Sequence, residues 1–359
     1  MKKNKLSIIR IVGNNLGGGA RINVYMANQV LKSFDLIEFI TFIPKPKFHD
    51  VYTSESLVPF NYVNSIHFFT IFRELVSRAI FRKESVILFL HLRNVAILWG
   101  LFCILFNLKY AVFVHAPNLN KFDVREKFLR ILYKIVLERA NKIVFVSNFV
   151  RQSIQNEMNI LNSNIEVIPN GSDKVNAKPS NKHDDISFVI VGELTPRKGI
   201  FDLITLIETI AKKSEYSSRV KFHIYGEGEL APKISVLHAQ HSFVHYYGYE
   251  PNTSVIYNGK SHLLMLSKDE AFGRVITEGA SIGLVPVLRK SGGFIEISKN
   301  LEGTFVFTDV QEILHIIDQI LGLDQTQLKH IRRSVIESYQ KHYSADIFEH
   351  NLKSFIRSL

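Results

Sequence analysis

A chain of 359 residues exceeds the ~250 to 300 at which one hydrophobic core stops growing, so its length predicts two domains. Apolar residues make up 46%, charged residues 21% and aromatic residues 11%, which excludes a disordered, fibrous or low-complexity chain. The single cysteine, Cys103, permits no internal disulfide, excludes a multi-cysteine metal site and points to a reducing compartment. The net charge of +11 sits on one half: residues 1 to 173 carry 22 basic and 12 acidic side chains, residues 174 to 359 carry 22 and 21. The N-terminal half is therefore expected to meet something anionic, whether nucleic acid, an acidic lipid surface or a phosphorylated substrate.

The start, MKKNKLSIIRIV, has a basic lead but only a few apolar residues before NNLGGGA, so it reads as a first strand and not a signal peptide. Short apolar runs then alternate with helical patterns, which predicts parallel sheets built from βαβ units. In the first half the runs are 6 to 12, 36 to 43, 85 to 91, 110 to 115, 142 to 147 and 165 to 170. The segment VAILWGLFCILFNL, residues 95 to 108, is too short for a spanning helix of ~20 residues and is expected to be a buried one. A polar stretch, residues 171 to 185, is the linker expected between the halves. The cycle restarts with runs at 186 to 192, 219 to 226, 243 to 248, 262 to 267 and 284 to 289. The predicted architecture is α/β, with two doubly wound parallel-sheet domains facing a cleft. One domain spans 1 to 173 and the other 174 to 344; the last helix, about 345 to 359, packs back on the first.

In such sheets ligands bind beyond the carboxyl ends of the strands. After the first run, GNNLGGGAR (13 to 21) brings backbone N–H groups to a helix N-terminus, where an anion is favoured; the alternative is a ligand-free connection. Ile22 breaks the dinucleotide fingerprint, and no Gly-Lys-Ser/Thr follows for a P-loop. His115 emerges at the end of YAVFVH, where it is expected to contact substrate; His91 ends SVILFLH in a similar position. In ELTPRKGI (193 to 200), Arg197 and Lys198 meet a helix N-terminus, which is a diphosphate site in chemical terms, or else a solvated turn. The turn GEGEL, from Gly226, could approach the same ligand. In SKDEAFGRVITEGASIGLVPVL (267 to 288), Glu270 lies in a loop and Glu278 on the helix expected from Phe272 and Gly273. Carboxylates accept hydroxyl hydrogen bonds in pairs, and Phe-Gly offers free amides to an anionic oxygen.

The spacing E-x7-E in EAFGRVITE, with VGELTPRKG upstream, IPNG before the linker, the Gly-rich first loop and His115, resembles the retaining family 4 glycosyltransferases of GT-B architecture. The resemblance implies transfer of a sugar from a nucleotide diphosphate sugar, UDP-linked before GDP-mannose, with anomeric retention and no metal or other cofactor. It implies that Arg197 and Lys198 neutralise the diphosphate, that Glu270 holds hydroxyls of the transferred sugar and Glu278 the ribose. Gly18 or Gly19 approaches the phosphates, Phe272 and Gly273 give backbone contacts, and His115 sits by the sugar. Two departures stand out: the first loop reads GGGAR without the acidic residue many relatives carry, and Glu-Gly-Phe-Gly becomes Glu-Ala-Phe-Gly. The sequence shows no Asp-x-Asp motif or histidine cluster, and no side chain is an obvious nucleophile.

The resemblance places the acceptor, saccharide or lipid-linked, with the basic half, and the setting in the bacterial cytoplasm at the inner membrane face, in surface polysaccharide assembly. IHFFTIFRELVSRAIFRK (66 to 83), with Arg73, Arg78, Arg82 and Lys83, is expected to lie on an anionic membrane as an interfacial helix; a buried helix with a basic face is the alternative. A nucleotide-sugar epimerase, a phosphorylase and a non-catalytic protein could share the frame. Nucleic-acid binding finds no motif, and an NAD-dependent oxidoreductase falls with the fingerprint. The base pocket is expected near Tyr249.

Overall fold

The computed structural model describes residues 6–11, 37–42, 61–63, 68–81, 85–91, 93–117, 124–180 and 185–359. The chain divides into two compact units: unit 1 comprises Met1–Pro169 and Glu349–Leu359, unit 2 Asn170–Phe348.

Unit 1 is built on a parallel sheet of β1 (Leu6–Ile11), β2 (Ile37–Phe42), β3 (Asn61–Val63), β4 (Ser85–His91), β5 (Lys109–Val114), β6 (Lys142–Phe145) and β7 (Ile165–Val167), ordered β3-β2-β1-β4-β5-β6-β7. Parallel strands are covered on both faces, so they read as continuous apolar runs; β4 is buried at every position after Ser85. The order runs one way from β1 to β3 and the other way from β4 to β7, so the direction reverses between β1 and β4. The described crossovers are α1 (Phe68–Val76), α2 (Arg93–Leu105), α3 (Val124–Arg139) and α4 (Asn148–Met158). α2 buries Ala96, Ile97, Trp99, Gly100 and Cys103. It lies so close to α3 that a Cβ on Gly100 would come within 2.4 Å of Val136 Cγ1. The Gly-rich loop, with Gly18 and Gly19, lies outside the described residues.

Of the segment 66 to 83, residues 68 to 81 are described and are helical, with a change of pitch inside them. α1 stops at Val76 and a wider π turn, Ser77–Phe81, follows; it carries Arg78 inward to 2% exposure, so that cation is not on a solvated face. Arg82 and Lys83 lie outside the described residues.

Unit 2 carries β8 (Ile186–Val191), β9 (Val220–Tyr225), β10 (Val244–Tyr246), β11 (His262–Met265), β12 (Val285–Arg289) and β13 (Phe305–Phe307), all parallel, ordered β10-β9-β8-β11-β12-β13. Its helices are α5 (Ile200–Ala211), α6 (Ser214–Ser217), α7 (Ala231–Gln240), α8 (Thr253–Tyr257), α9 (Arg274–Ala280), α10 (Phe294–Asn300), α11 (Glu312–Leu321) and α12 (Gln325–His342). Successive strand side chains point to opposite faces. Phe188 and Ile190 thus join a core with α5, α7 and α11, while Val189 joins one with α8, α9, α10 and α12. In α11 the apolar period explains the helix: Ile313, Ile316, Ile317 and Ile320 form one buried stripe. α12 opens with a capping box between Asp324 and Gln327. The last helix, α13 (Ala345–Arg357), brings Phe355 to within 5.8 Å of Phe89 and 5.7 Å of Phe113 in unit 1.

The polar stretch after residue 171 is bound along unit 2 and is not a free tether. Ser172 N–H donates to the Tyr343 carbonyl at 3.0 Å, Val175 N–H to Ser281 Oγ at 3.0 Å and Ser180 N–H to the Lys260 carbonyl at 2.8 Å. Among the described residues no helix is long and apolar enough to cross a membrane.

Candidate active site

In unit 2 the strand order reverses between β8 and β11, so the loops after these strands part at their carboxyl ends and leave room for a ligand. The loop after β8 ends in a 3-10 turn, Pro196–Lys198, and Gly199 then opens α5 with φ of 76°. Only glycine suits that position, because a Cβ would stand 2.2 Å from the Leu266 carbonyl oxygen. The loop after β11 is stitched to this turn: Lys268 N–H donates to the Arg197 carbonyl at 3.2 Å, and Arg197 Nη1 reaches the Asp269 carbonyl at 3.4 Å.

Across this reversal point Lys198 Nζ donates to Glu270 Oε2 at 2.5 Å. Both side chains are about four-fifths buried, at 20% and 18% exposure, so the pair is less screened than a surface salt bridge. Lys198 has two further donor hydrogens and Glu270 further lone pairs, so each can take a ligand without giving up the other. Arg197 is exposed beside them. Behind the turn, Asp202 in the first turn of α5 pairs with Arg289, which also donates to the Leu266 carbonyl at 2.9 Å. The mouth of α5 is thus held against the ends of β11 and β12.

Glu278 sits in a second pocket of partners. The Tyr257 hydroxyl donates to its Oε2 at 2.9 Å, and Arg274 Nε lies 3.2 Å from Oε1, one helical turn away. Burial pushes the Glu278 carboxyl above the usual carboxylate range, opposed by Arg274 and the Tyr257 hydrogen bond. Burial and the adjacent carboxylate push the Tyr257 hydroxyl up, which keeps it a donor. Arg274 Nη1 is buried with no hydrogen-bond acceptor among the described residues, an arrangement costly to leave unmet. Arg274 was findable from its i, i+4 spacing to Glu278; Tyr257 was not, since only the fold brings it there.

The helix expected from Phe272 and Gly273 begins at Arg274, with Gly273 at φ of 97° as its cap. A Cβ there would meet Phe294 Cε1 at 2.6 Å. Phe272 is buried and edge-on to Tyr343, with ring centres 5.7 Å apart. The amides of Phe272 and Gly273 meet no acceptor among the described residues, while Gly293 N–H donates to the Glu270 carbonyl at 2.7 Å and fixes that loop. Gly226 is needed by the fold itself: its Cβ would stand 1.8 Å from the Gly192 carbonyl oxygen, its N–H donates to the Gly248 carbonyl and its own carbonyl accepts from the Tyr246 hydroxyl. Tyr249, on the β10 side, is 64% exposed.

The remaining expected residue belongs to unit 1. His115 follows β5 and is half-buried; its Nε2 shares a 2.9 Å hydrogen bond with Nδ1 of His91, which ends β4. The two rings stack 5.2 Å apart, and His91 stacks in turn on Phe113 at 4.6 Å. His91 is buried at 2% exposure, so it orients His115 from behind. Among the described residues no three His, Cys, Asp or Glu side chains gather as a metal site requires.

Comparison with known proteins matches residues 16–174 to Glycosyltransferase Family 4 and residues 172–337 to Glycosyl transferases group 1. The chain is 25% identical over 231 residues to a phosphatidylinositol N-acetylglucosaminyltransferase subunit of Arabidopsis thaliana, covering 61% of this chain and 51% of that one. It is 33% identical over 132 residues to poly(ribitol-phosphate) alpha-N-acetylglucosaminyltransferase of Staphylococcus aureus, covering 35% and 25%. It therefore spans about half the length of the first and a quarter of the second. Among solved structures, Anabaena HepE in complex with UDP-glucose superposes with a TM-score of 0.74 at 15% identity, covering 98% of this chain and all of that one. Two parallel sheets of this order, matched in sequence by both family models, identify the chain as a member of the family 4, group 1 glycosyltransferases with the GT-B fold.

Proposed function

We propose that the protein transfers a hexose from a UDP-sugar to a saccharide or lipid-linked acceptor, with retention at the anomeric carbon and without a metal. The observation that carries this reading is the Lys198–Glu270 pair at the reversal point of unit 2, with Arg197 beside it. Lys198 and Arg197 neutralise the diphosphate and the charge it gains on leaving, as preorganised cations do where negative charge develops. Arg274, with its unmet Nη1, supplies a third positive group at the start of α9. Glu270 accepts from hydroxyls of the transferred sugar. Glu278, already oriented by Tyr257 and Arg274, accepts from the ribose. The free amides of Phe272 and Gly273 lie beside Glu270, and His115 contacts the saccharide.

The acceptor hydroxyl attacks from the face that the diphosphate leaves, and the departing phosphate oxygen takes its proton. UDP is favoured over GDP-mannose because HepE was solved with UDP-glucose, and the two curated relatives named above are N-acetylglucosaminyltransferases. The proposed setting is the cytoplasmic side of a bacterial membrane, in surface polysaccharide assembly; a lipopolysaccharide outer core galactosyltransferase, WaaB, shares the fold at a TM-score of 0.66.

Thermal unfolding against UDP, GDP, ADP, TDP and their sugars tests the donor assignment, since a ligand that binds only the native state raises the melting temperature. A rise with UDP or a UDP-sugar that vanishes in Arg197→Ala/Lys198→Ala is expected. No shift with any nucleotide at millimolar concentration would favour a non-catalytic protein, and recovery of an epimerised sugar without acceptor would favour an epimerase.

A further inference from the structure

In unit 2, α5 and α11 share one buried core, to which Leu206 and Ile207 come from the first and Ile313 and Ile317 from the second. Their outer edges leave a cavity of about 370 Å³ between them, within the ~300 to 1,000 Å³ of small-molecule sites. A second cavity of about 400 Å³ lies beyond α6, on the side of Arg219 and Gly322. Tyr216 and Asp318 line both, and the Tyr216 hydroxyl donates to Asp318 Oδ2 at 3.1 Å, so the two cavities form one groove with this pair at its middle. No residue of the donor site lines either cavity.

One wall is α5, where Thr205 and Thr209 stand one turn apart. Each hydroxyl donates to the carbonyl four residues back, at 3.1 and 2.7 Å, so what each offers a ligand is its acceptor lone pairs. The other wall is α11, with Gln311 at its N-cap, His315 one turn on and Asp318 nearly one turn further. Leu206 and Leu314 give the groove an apolar floor between these polar rims. Its charges cancel: Lys213 and Arg219 stand against Glu215 and Asp318, and Lys213 Nζ lies over the Tyr216 ring at 5.4 Å.

We propose that this groove is a second saccharide site, which binds an uncharged oligosaccharide segment of the glycan outside the donor site. Sugar hydroxyls donate and accept at once, and so match hydroxyl, amide, imidazole and carboxylate groups set along two walls, while the C–H faces of the rings pack on the floor and on Tyr216. Two cavities in line suit a chain of rings better than a single one. A phosphorylated ligand needs a surplus of cations, which the cancelling charges do not give. A lipid tail would leave the wall hydroxyls and Asp318 desolvated without partners. α5 opens at the Lys198 turn, so groove and donor site share a helix, and a glycan held there stays at the enzyme between transfers. That the occupant is the enzyme's own glycan rests on the function proposed above; that the groove takes a saccharide does not.

The test is saturation-transfer NMR on the full chain, in the presence of UDP, with triacetylchitotriose and maltotriose as probes and N-acetylglucosamine and glucose as single-ring controls. Transfer to at least one trisaccharide is expected, stronger than to its single ring. Tyr216→Ala/Asp318→Ala should weaken that binding at least about tenfold, since a ring and two hydrogen-bonding groups are lost. Thr205→Val/Thr209→Val removes only the acceptor oxygens and should weaken it about threefold. Lys233→Ala/Lys329→Ala, at exposed positions of unit 2 outside the groove, should leave it within about twofold. No transfer to either trisaccharide, or binding that both groove variants retain in full, overturns the proposal. So does binding that His115→Ala abolishes, because the saccharide then sits in unit 1. The UDP-induced rise in melting temperature, measured on the same samples, separates the two readings: if it is absent while the groove variants still lose the trisaccharide, the groove stands and the donor assignment falls.

Discussion

The two sheets share a strand order but finish their carboxyl edges differently. At the reversal point of unit 2, Lys198, Glu270, Arg197 and Arg274 gather around the mouth of α5 and the start of α9, on loops closed by glycines that tolerate no Cβ. In unit 1 the ends of β4 and β5 carry two stacked histidines backed by Phe113, while the loop after β1, the counterpart of the one that holds Lys198, lies outside the described residues. Topology sets where a ligand can sit; the side chains on the loops decide what it is. The charged edge of unit 2 has the chemistry that a diphosphate needs.

Lys198→Ala is the change expected to separate the edges most. It should lower turnover on the order of 10²- to 10³-fold, the usual cost of removing one preorganised charge from a transition state, while His115→Ala leaves the UDP-induced thermal shift intact. Steady-state kinetics and thermal unfolding on both variants read this; a His115 variant that loses the UDP shift would break the comparison. The glycines give the next largest effect. Gly226→Ala forces a Cβ to 1.8 Å from the Gly192 carbonyl and should cost about 3 kcal/mol in denaturant unfolding. Gly192→Ala meets no atom within 4 Å and should cost only about 1 kcal/mol, from its φ of 148°.

Acid tests unit 2 from its opposite edge. His262, at the amino end of β11 and 1% exposed, has its pKa pushed down to about 3 by burial, with Arg332 adding to the effect. The unfolded chain therefore takes up its proton first as pH falls below about 6.5, and stability present above that pH is lost on the way down. Between pH 6.5 and 5 the loss should be on the order of 2 kcal/mol. Denaturant unfolding of wild type and His262→Asn at both pH values checks this: the variant should show a flatter dependence, and equal slopes would refute the assignment.

The long buried strands were legible because parallel sheets covered on both faces turn sequence into uninterrupted apolar runs, as in SVILFLH and ISFVIV. β3 and β13 were not, since each is three residues long with polar neighbours, Asn64 and Ser65 after one and Thr304 and Thr308 on either side of the other, so no longer apolar run marks it as those at β7 and β10 do. Arg197, Lys198 and Glu270 could be named as candidates because each lies on a loop after a strand, and Glu278 from its place on the helix that follows. Their partners could not be: Lys198 meets Glu270 over 72 positions and Tyr257 meets Glu278 over 21, distances that only the closed sheet removes. At Gly226 the sequence could not tell the two demands apart, because a glycine needed by a ligand and one needed by a neighbouring loop read alike; the structure shows the second demand. In the segment 66 to 83 the sequence misplaced Arg78, which a π turn carries inward by changing the face that each later residue presents.

Calorimetric titration of UDP into the wild-type chain and into Arg197→Ala/Lys198→Ala tests the central claim most directly. Binding by the wild type, weakened at least about tenfold in the variant with its fold intact, is the predicted result, since two charge-assisted contacts to the diphosphate are lost. Equal affinity in the two proteins would contradict it and move the donor away from the reversal point of unit 2.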